Sequence, residues 1–198
     1  MPSAPVVGRF NGEMACAAMP ANKPRASSLF HRRATHVAGW RSAVLLRDPS
    51  GVAAELKRLA HDWSWDRVAS DCDAWVSGWV VGMAEDAQQL VSSAHAGDDL
   101  SAAAICSYLA SRLSRVMALH RRILYASDKA LWEAVAAELG PEWRRALRSA
   151  LGLDRDTPLA RATFALRLYE LAATEASGLL DERQQAVVSL ALSTAEHL

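Results

Sequence analysis

Residues 101–140 read SAAAICSYLASRLSRVMALHRRILYASDKALWEAVAAELG, and the spacing within them decides the fold class. Ile105, Leu109, Leu113, Val116, His120 and Ile123 recur at steps of three and four, the period of one helix face. The stretch predicts a long amphipathic helix, a short break at Ala126-Ser127-Asp128, and a second helix ending at Gly140-Pro141. His120 is the one polar member of the stripe.

C-terminal to this stretch, Pro141 opens a helix over Glu142 to Leu151 that Gly152 stops. Thr157-Pro158 places a cap before an N1 proline for a helix from Leu159 to Leu180. Asp181 and Gln184 have the spacing of a capping box for a last helix, Glu182 to Glu196. N-terminal to it, Val68, Trp75, Trp79, Met83 and Leu90 mark a long helix from about Asp66 to Ala94. Gly78 and Gly82 within it predict the close approach of a neighbouring helix. Val52 to His61 forms a short helix with Val52, Leu56 and Leu59 on one face.

Ser42 to Asp48, SAVLLRD, leads into Pro49-Ser50-Gly51 and reads as a short buried strand entering a turn. A lone strand has nothing to pair with, so the run either packs irregularly or is left from a larger sheet. The expected fold is all-α: an up-down bundle of six to seven helices over residues 42–198, with this one short strand. Residues 1–41 form a weakly structured basic arm holding four of the seven prolines.

The chain has 198 residues, 51% of them hydrophobic, with few β-branched runs, which favours helix over sheet. Its zero net charge is uneven: residues 1–47 carry seven Lys/Arg and one acid, Glu13, so the remainder is acidic. An acidic body argues against broad nucleic-acid binding, which needs a basic face for phosphates. Three widely spaced cysteines without a C-x-x-C fit reduced thiols in a cytoplasm. No run approaches the roughly 18 apolar residues of a membrane span.

Three constellations carry chemistry. Arg115 and Arg122 point within about 20° of each other on a continuous helix, with Arg112 about 60° away. With Lys129 beyond the break they form a basic stripe able to hold a triphosphate. Arg115 and His120 make an R-x4-H pattern that resembles the motif of the HEPN ribonucleases. On a continuous helix the two diverge by roughly 140°, so they converge only across a helix break or a dimer. Asp71-Cys72-Asp73 spells D-x-D, but on a helix its carboxylates diverge by about 200°, which rejects a two-carboxylate magnesium site. No metal ligands are assigned.

Val44 to Gly51, the segment His120-Arg121-Arg122-Ile123-Leu124-Tyr125-Ala126-Ser127-Asp128-Lys129, and Ala165-Leu166-Arg167-Leu168-Tyr169 followed by Leu179-Leu180-Asp181 carry a second resemblance. From Ser42 onward the chain resembles the C-terminal helical domain of small nucleotidyltransferases of the aminoglycoside or lincosamide resistance type. That resemblance implies a bacterial enzyme in two parts, a palm sheet with Gly-Ser and D-x-D motifs and a helical bundle that closes over nucleotide and drug. It implies phosphate contacts from Arg115, Arg122 and Lys129, and an acceptor side of Trp63, Trp65, Asp66 and Asp71. This chain has no Gly-Ser dipeptide and no strand-borne D-x-D. The expectation is therefore a nucleotide- or drug-binding helical domain that does not catalyse alone, with Mg²⁺ and ATP entering only if a palm is supplied. Its partners are then a nucleotide, a small-molecule acceptor, and a homodimer mate or separate catalytic chain. The alternatives are a HEPN-like ribonuclease using Arg115 and His120, or a non-catalytic helical interaction protein.

Overall fold

A computed structural model describes residues 36–195 and 198, and all regular structure among them is helical. Residues 36–42 are helical (α1). There follow α2 (Val52–His61), a 3-10 turn (Trp65–Val68), α3 (Ala69–His95), α4 (Asp99–His120), α5 (Asp128–Ala150), α6 (Pro158–Glu175), a second 3-10 turn (Ser177–Leu179) and α7 (Glu182–Ala195). Most of the predicted arm, and Cys16 with it, lies outside the described residues. No described helix is long and apolar enough to cross a membrane.

The helix boundaries follow from local chemistry. Ser127 caps α5 through the amide of Ala130, and Thr157 caps α6 with Pro158 at its start. Asp181 and Gln184 exchange side-chain-to-amide bonds of 2.8 and 3.0 Å, the reciprocal capping box the spacing predicts. Gly140, at φ 87°, breaks α5 into two helical pieces across a kink at the predicted Gly-Pro boundary.

Helix α4 is the centre of the bundle, packed by α3, α5 and α6, while α7 packs on α3. Leu109, Leu113 and Val116 are fully buried, Ile105 is half-buried, and Ile123 packs on the core from beyond the helix end. Burial of such side chains stabilises by roughly 1.5–3 kcal/mol each. Trp143 and Tyr169 are the largest buried side chains, and the Tyr169 hydroxyl donates to the Val80 carbonyl at 3.2 Å, tying α6 to α3. The same burial pushes the Tyr169 phenol pKa up.

Three expectations need correction. The run Ser42–Asp48 is not a strand: residues 43–48 are irregular, with a bend at Leu46, because no described segment offers an edge to pair with. Gly78 and Gly82 are exposed with open space beside them, so no described helix makes the close approach they predict. The helix break begins at Arg121, five residues before the predicted point, so Arg122 leaves the stripe on which Arg115 sits.

Candidate functional site

The end of α4 places the predicted basic residues. The helix stops in a Schellman motif: the Arg122 amide donates to the Leu119 carbonyl at 3.2 Å and the Ile123 amide to the Ala118 carbonyl at 2.8 Å. This geometry needs a left-handed residue, and Arg122 supplies it at φ 57°. Helices α3 and α5 end in the same motif with Gly97 at φ 67° and Gly152 at φ 74°. A β-carbon in that conformation costs about 1–2 kcal/mol, so the side chain of Arg122 sits where glycine would be easier.

That side chain is fully engaged. Its guanidinium reaches Asp73 of α3 at 2.5 Å, donates to the carbonyls of Leu119 (2.9 Å) and Ala69 (3.3 Å), and lies 5.9 Å from the ring of Trp65. Trp65 meets Trp63 edge-on at 4.7 Å. Arg41 fixes this aromatic corner by donating to the carbonyls of Trp63 and Ala60, each at 2.8 Å. Arg122, Trp63, Trp65 and Asp73 therefore form one cluster where α3 begins and α4 ends.

The other predicted acceptor residues stand apart from it. Asp66 accepts a 2.7 Å bond from Ser64 within its own loop, and Asp71 is exposed. Asp71 and Asp73 do not fit a magnesium site: they diverge around α3, and Asp73 is committed to Arg122. Among the described residues no group of three or more His, Cys, Asp and Glu is placed to hold a metal ion.

Arg115 lies one and a half turns before the end of α4. One of its terminal nitrogens donates to Ser111 at 3.0 Å, another sits 3.9 Å from Asp128 at the start of α5, and its Nε is buried without a hydrogen-bond partner. Lys129 is exposed on the same first turn of α5. The structure thus brings Arg115 and Lys129 to the N-terminus of α5, and sends Arg122 to α3 instead. Arg112 faces neither, lying 5.0 Å from the Trp79 ring and 5.5 Å from that of Tyr108.

No family model, curated protein or solved structure matches this chain. His120, the last residue of α4, is half-buried with its Nδ1 unpartnered. Burial, then the neighbouring Arg121 cation, lowers its pKa, against the opposing pull of Glu175 and Asp73. Arg121 is itself ion-paired to Glu175 of α6. Because α4 is continuous over Arg115 and His120, the two point to different sides of the helix within one chain. A ribonuclease built on that pair requires the second side chain from a second copy.

Asp73 was the partner that sequence reasoning missed. The charge of Arg122 gave no hint of it, since the two are 49 residues apart and meet only through the packing of α3 on α4.

Proposed function

We propose that this chain is a helical nucleotide-binding domain of nucleotidyltransferase type that has no transfer activity by itself. The observation that carries the reading is Arg115, a partly exposed guanidinium that bonds Ser111 through one terminal nitrogen, has only a loose carboxylate neighbour at the other and leaves its Nε unpartnered, standing beside the N-terminus of a 23-residue helix. Helix N-termini favour anions, and a cation whose hydrogen bonds are incomplete gains by meeting a phosphate oxygen. Lys129 adds a second, exposed positive charge on the same turn. The Trp63–Trp65 corner offers an aromatic face for a base or an acceptor ring, with Arg122 locked beneath it by Asp73.

Nucleotidyl transfer needs carboxylates that hold Mg²⁺ at the reacting phosphate. In this reading they come from a palm on another chain, and this domain only binds and orients. A calorimetric titration of Mg·ATP into the full chain tests it. Saturable binding is expected, weakened at least about tenfold in Arg115→Ala and Lys129→Ala, the equivalent of about 1.4 kcal/mol. Absence of binding, or binding unchanged in both variants, refutes the assignment. Transfer of AMP to an aminoglycoside or lincosamide by the chain alone refutes its inactive half.

A further inference from the structure

A second polar feature lies at the opposite end of α4 from Arg115. Along that continuous helix, at a rise of about 1.5 Å per residue, Asp99 and Arg115 are roughly 24 Å apart. Here the first turns of α4 and α6 enclose a cavity of about 150 Å³, lined by Asp99, Ala102, Ala103 and Cys106 of α4 and by Pro158 and Arg161 of α6. Ala102 and Cys106 are buried and form its floor, Ala103 is half-buried, and exposed Asp99 stands at its mouth. A cavity of this volume takes up a molecule the size of benzene, so with an open mouth it admits about six to eight heavy atoms.

The side chains of its wall are apolar except for two opposite charges. Arg161 is held in place by residues outside the cavity: it donates to the Ala150 carbonyl at 3.3 Å, and its guanidinium lies against Gly152. A β-carbon on Gly152 would be 3.0 Å from the guanidinium carbon, nearer than to Nε at 3.2 Å or Nη2 at 3.3 Å, so glycine covers the flat face of the group. Its Nε is buried without a hydrogen-bond partner. None of the ion pairs between described residues joins Asp99 to Arg161, so the two charges share one cavity without neutralising each other. Cys106 adds no reactive group. Burial pushes its thiol pKa up to about 11, and the Arg161 cation pulls the other way without reversing this. At neutral pH the thiol is an uncharged part of the wall, which suits binding rather than covalent chemistry.

We infer that this cavity binds a small apolar α-amino acid, with its carboxylate on Arg161, its ammonium on Asp99 and its side chain against Ala102, Ala103 and Pro158. A zwitterion answers both charges at once through charge-assisted hydrogen bonds. A simple carboxylate leaves Asp99 as a like charge beside it, a phosphate meets that repulsion more strongly, and a simple amine faces Arg161 in the same way. The partial positive charges at the starts of α4 and α6 add to the pull on the carboxylate end. The floor offers methyl groups, a proline ring and a thiol, so a polar ligand side chain would be buried there without a good partner. The volume then sets the size between alanine and valine.

The inference does not rest on the nucleotide reading, and its test contains no nucleotide, so each fails separately. The full chain is titrated by calorimetry with L-alanine and L-valine, and with isovalerate and isobutylamine, which keep the body of valine but carry one charge each. Saturable binding of the amino acids is expected, with isovalerate and isobutylamine weaker by about tenfold or more. Asp99→Asn and Arg161→Gln should each weaken valine by about tenfold, and Ala103→Leu, which fills the cavity without touching either charge, should abolish binding. Asp99 is exposed, so Asp99→Asn keeps the fold and decides the case even where Arg161→Gln does not fold. Arg115→Ala should bind valine as the parent does. Absence of saturable binding by either amino acid overturns the inference. So does isovalerate binding as tightly as valine, since Asp99 then takes no part, and so does binding that survives Ala103→Leu, since the ligand then sits elsewhere.

Discussion

Arg122 invites a paired substitution in which the two variants lose the same side chain and differ only in backbone strain. Arg122→Ala removes the ion pair to Asp73 and keeps a β-carbon at φ 57°. The pair's side chains are 26% and 37% exposed, so solvent screening holds it to about 1 kcal/mol or less. The bonds to the Leu119 and Ala69 carbonyls add roughly 1 kcal/mol more. The alanine variant should therefore lie about 1–2 kcal/mol below the parent protein. Arg122→Gly loses those interactions too but relieves about 1–2 kcal/mol of left-handed strain, less about 0.4–1 kcal/mol for the freer unfolded chain. It should stand about 1 kcal/mol above the alanine variant, which for a chain of this size is about 2–4 °C in Tm. Urea unfolding followed by circular dichroism measures the difference at equal m-values. A glycine variant no more stable than the alanine one refutes the claim that α4 ends on a strained arginine. If glycine restores stability, Mg·ATP calorimetry on the same variant shows whether the guanidinium also serves the ligand.

His120 predicts a pH dependence. Its folded pKa lies below the unfolded value of about 6.5, so the unfolded chain binds more protons, and the stability present above that value is lost as pH falls through the folded one. Thermal melts at about pH 7.5 and about pH 5.5 should show a drop that is smaller in His120→Gln; an equal drop in both counts against the buried neutral imidazole. Leu113, fully buried on α4, should cost about 2–5 kcal/mol as Leu113→Ala, whereas Leu46→Ala should stay within about 0.5 kcal/mol; comparable losses in denaturant would contradict the burial pattern. Gly97→Ala and Gly152→Ala share the strain of a positive φ, but at Gly152 a β-carbon would sit 3.0 Å from the guanidinium carbon of Arg161. Displacing Arg161 endangers its 3.3 Å bond to the Ala150 carbonyl, so Gly152→Ala should be the more destabilising by up to about 1 kcal/mol in the same melts.

The contrast between what was legible in the residues and what was not follows the range of the forces involved. Ser127, Thr157-Pro158, Asp181 with Gln184, and Gly140-Pro141 all act within four residues, and each sets a boundary where its chemistry demands. The core stripe of α4 was equally plain, because a helix surrounded on several sides must be apolar along most of its length. The end of α4 was hidden because the residue in the left-handed position is arginine, and the signal for a helix stop is glycine. That one substitution moved Arg122 from a supposed phosphate stripe onto Asp73, leaving Arg115 and Lys129 as the two cations of the original set that face the start of α5.

The apolar stripe of α2 shows a different limit. Periodicity tells which face of a helix avoids water, but not what covers it. In α3 to α6 the cover comes from the same chain, so pattern and burial agree. In α2 and the run before it the pattern is as clear, yet nothing among the described residues meets it. A run that reads as a strand but has no sheet, joined by a fixed turn to an amphipathic helix with a bare face, is a local preference that the described fold does not use.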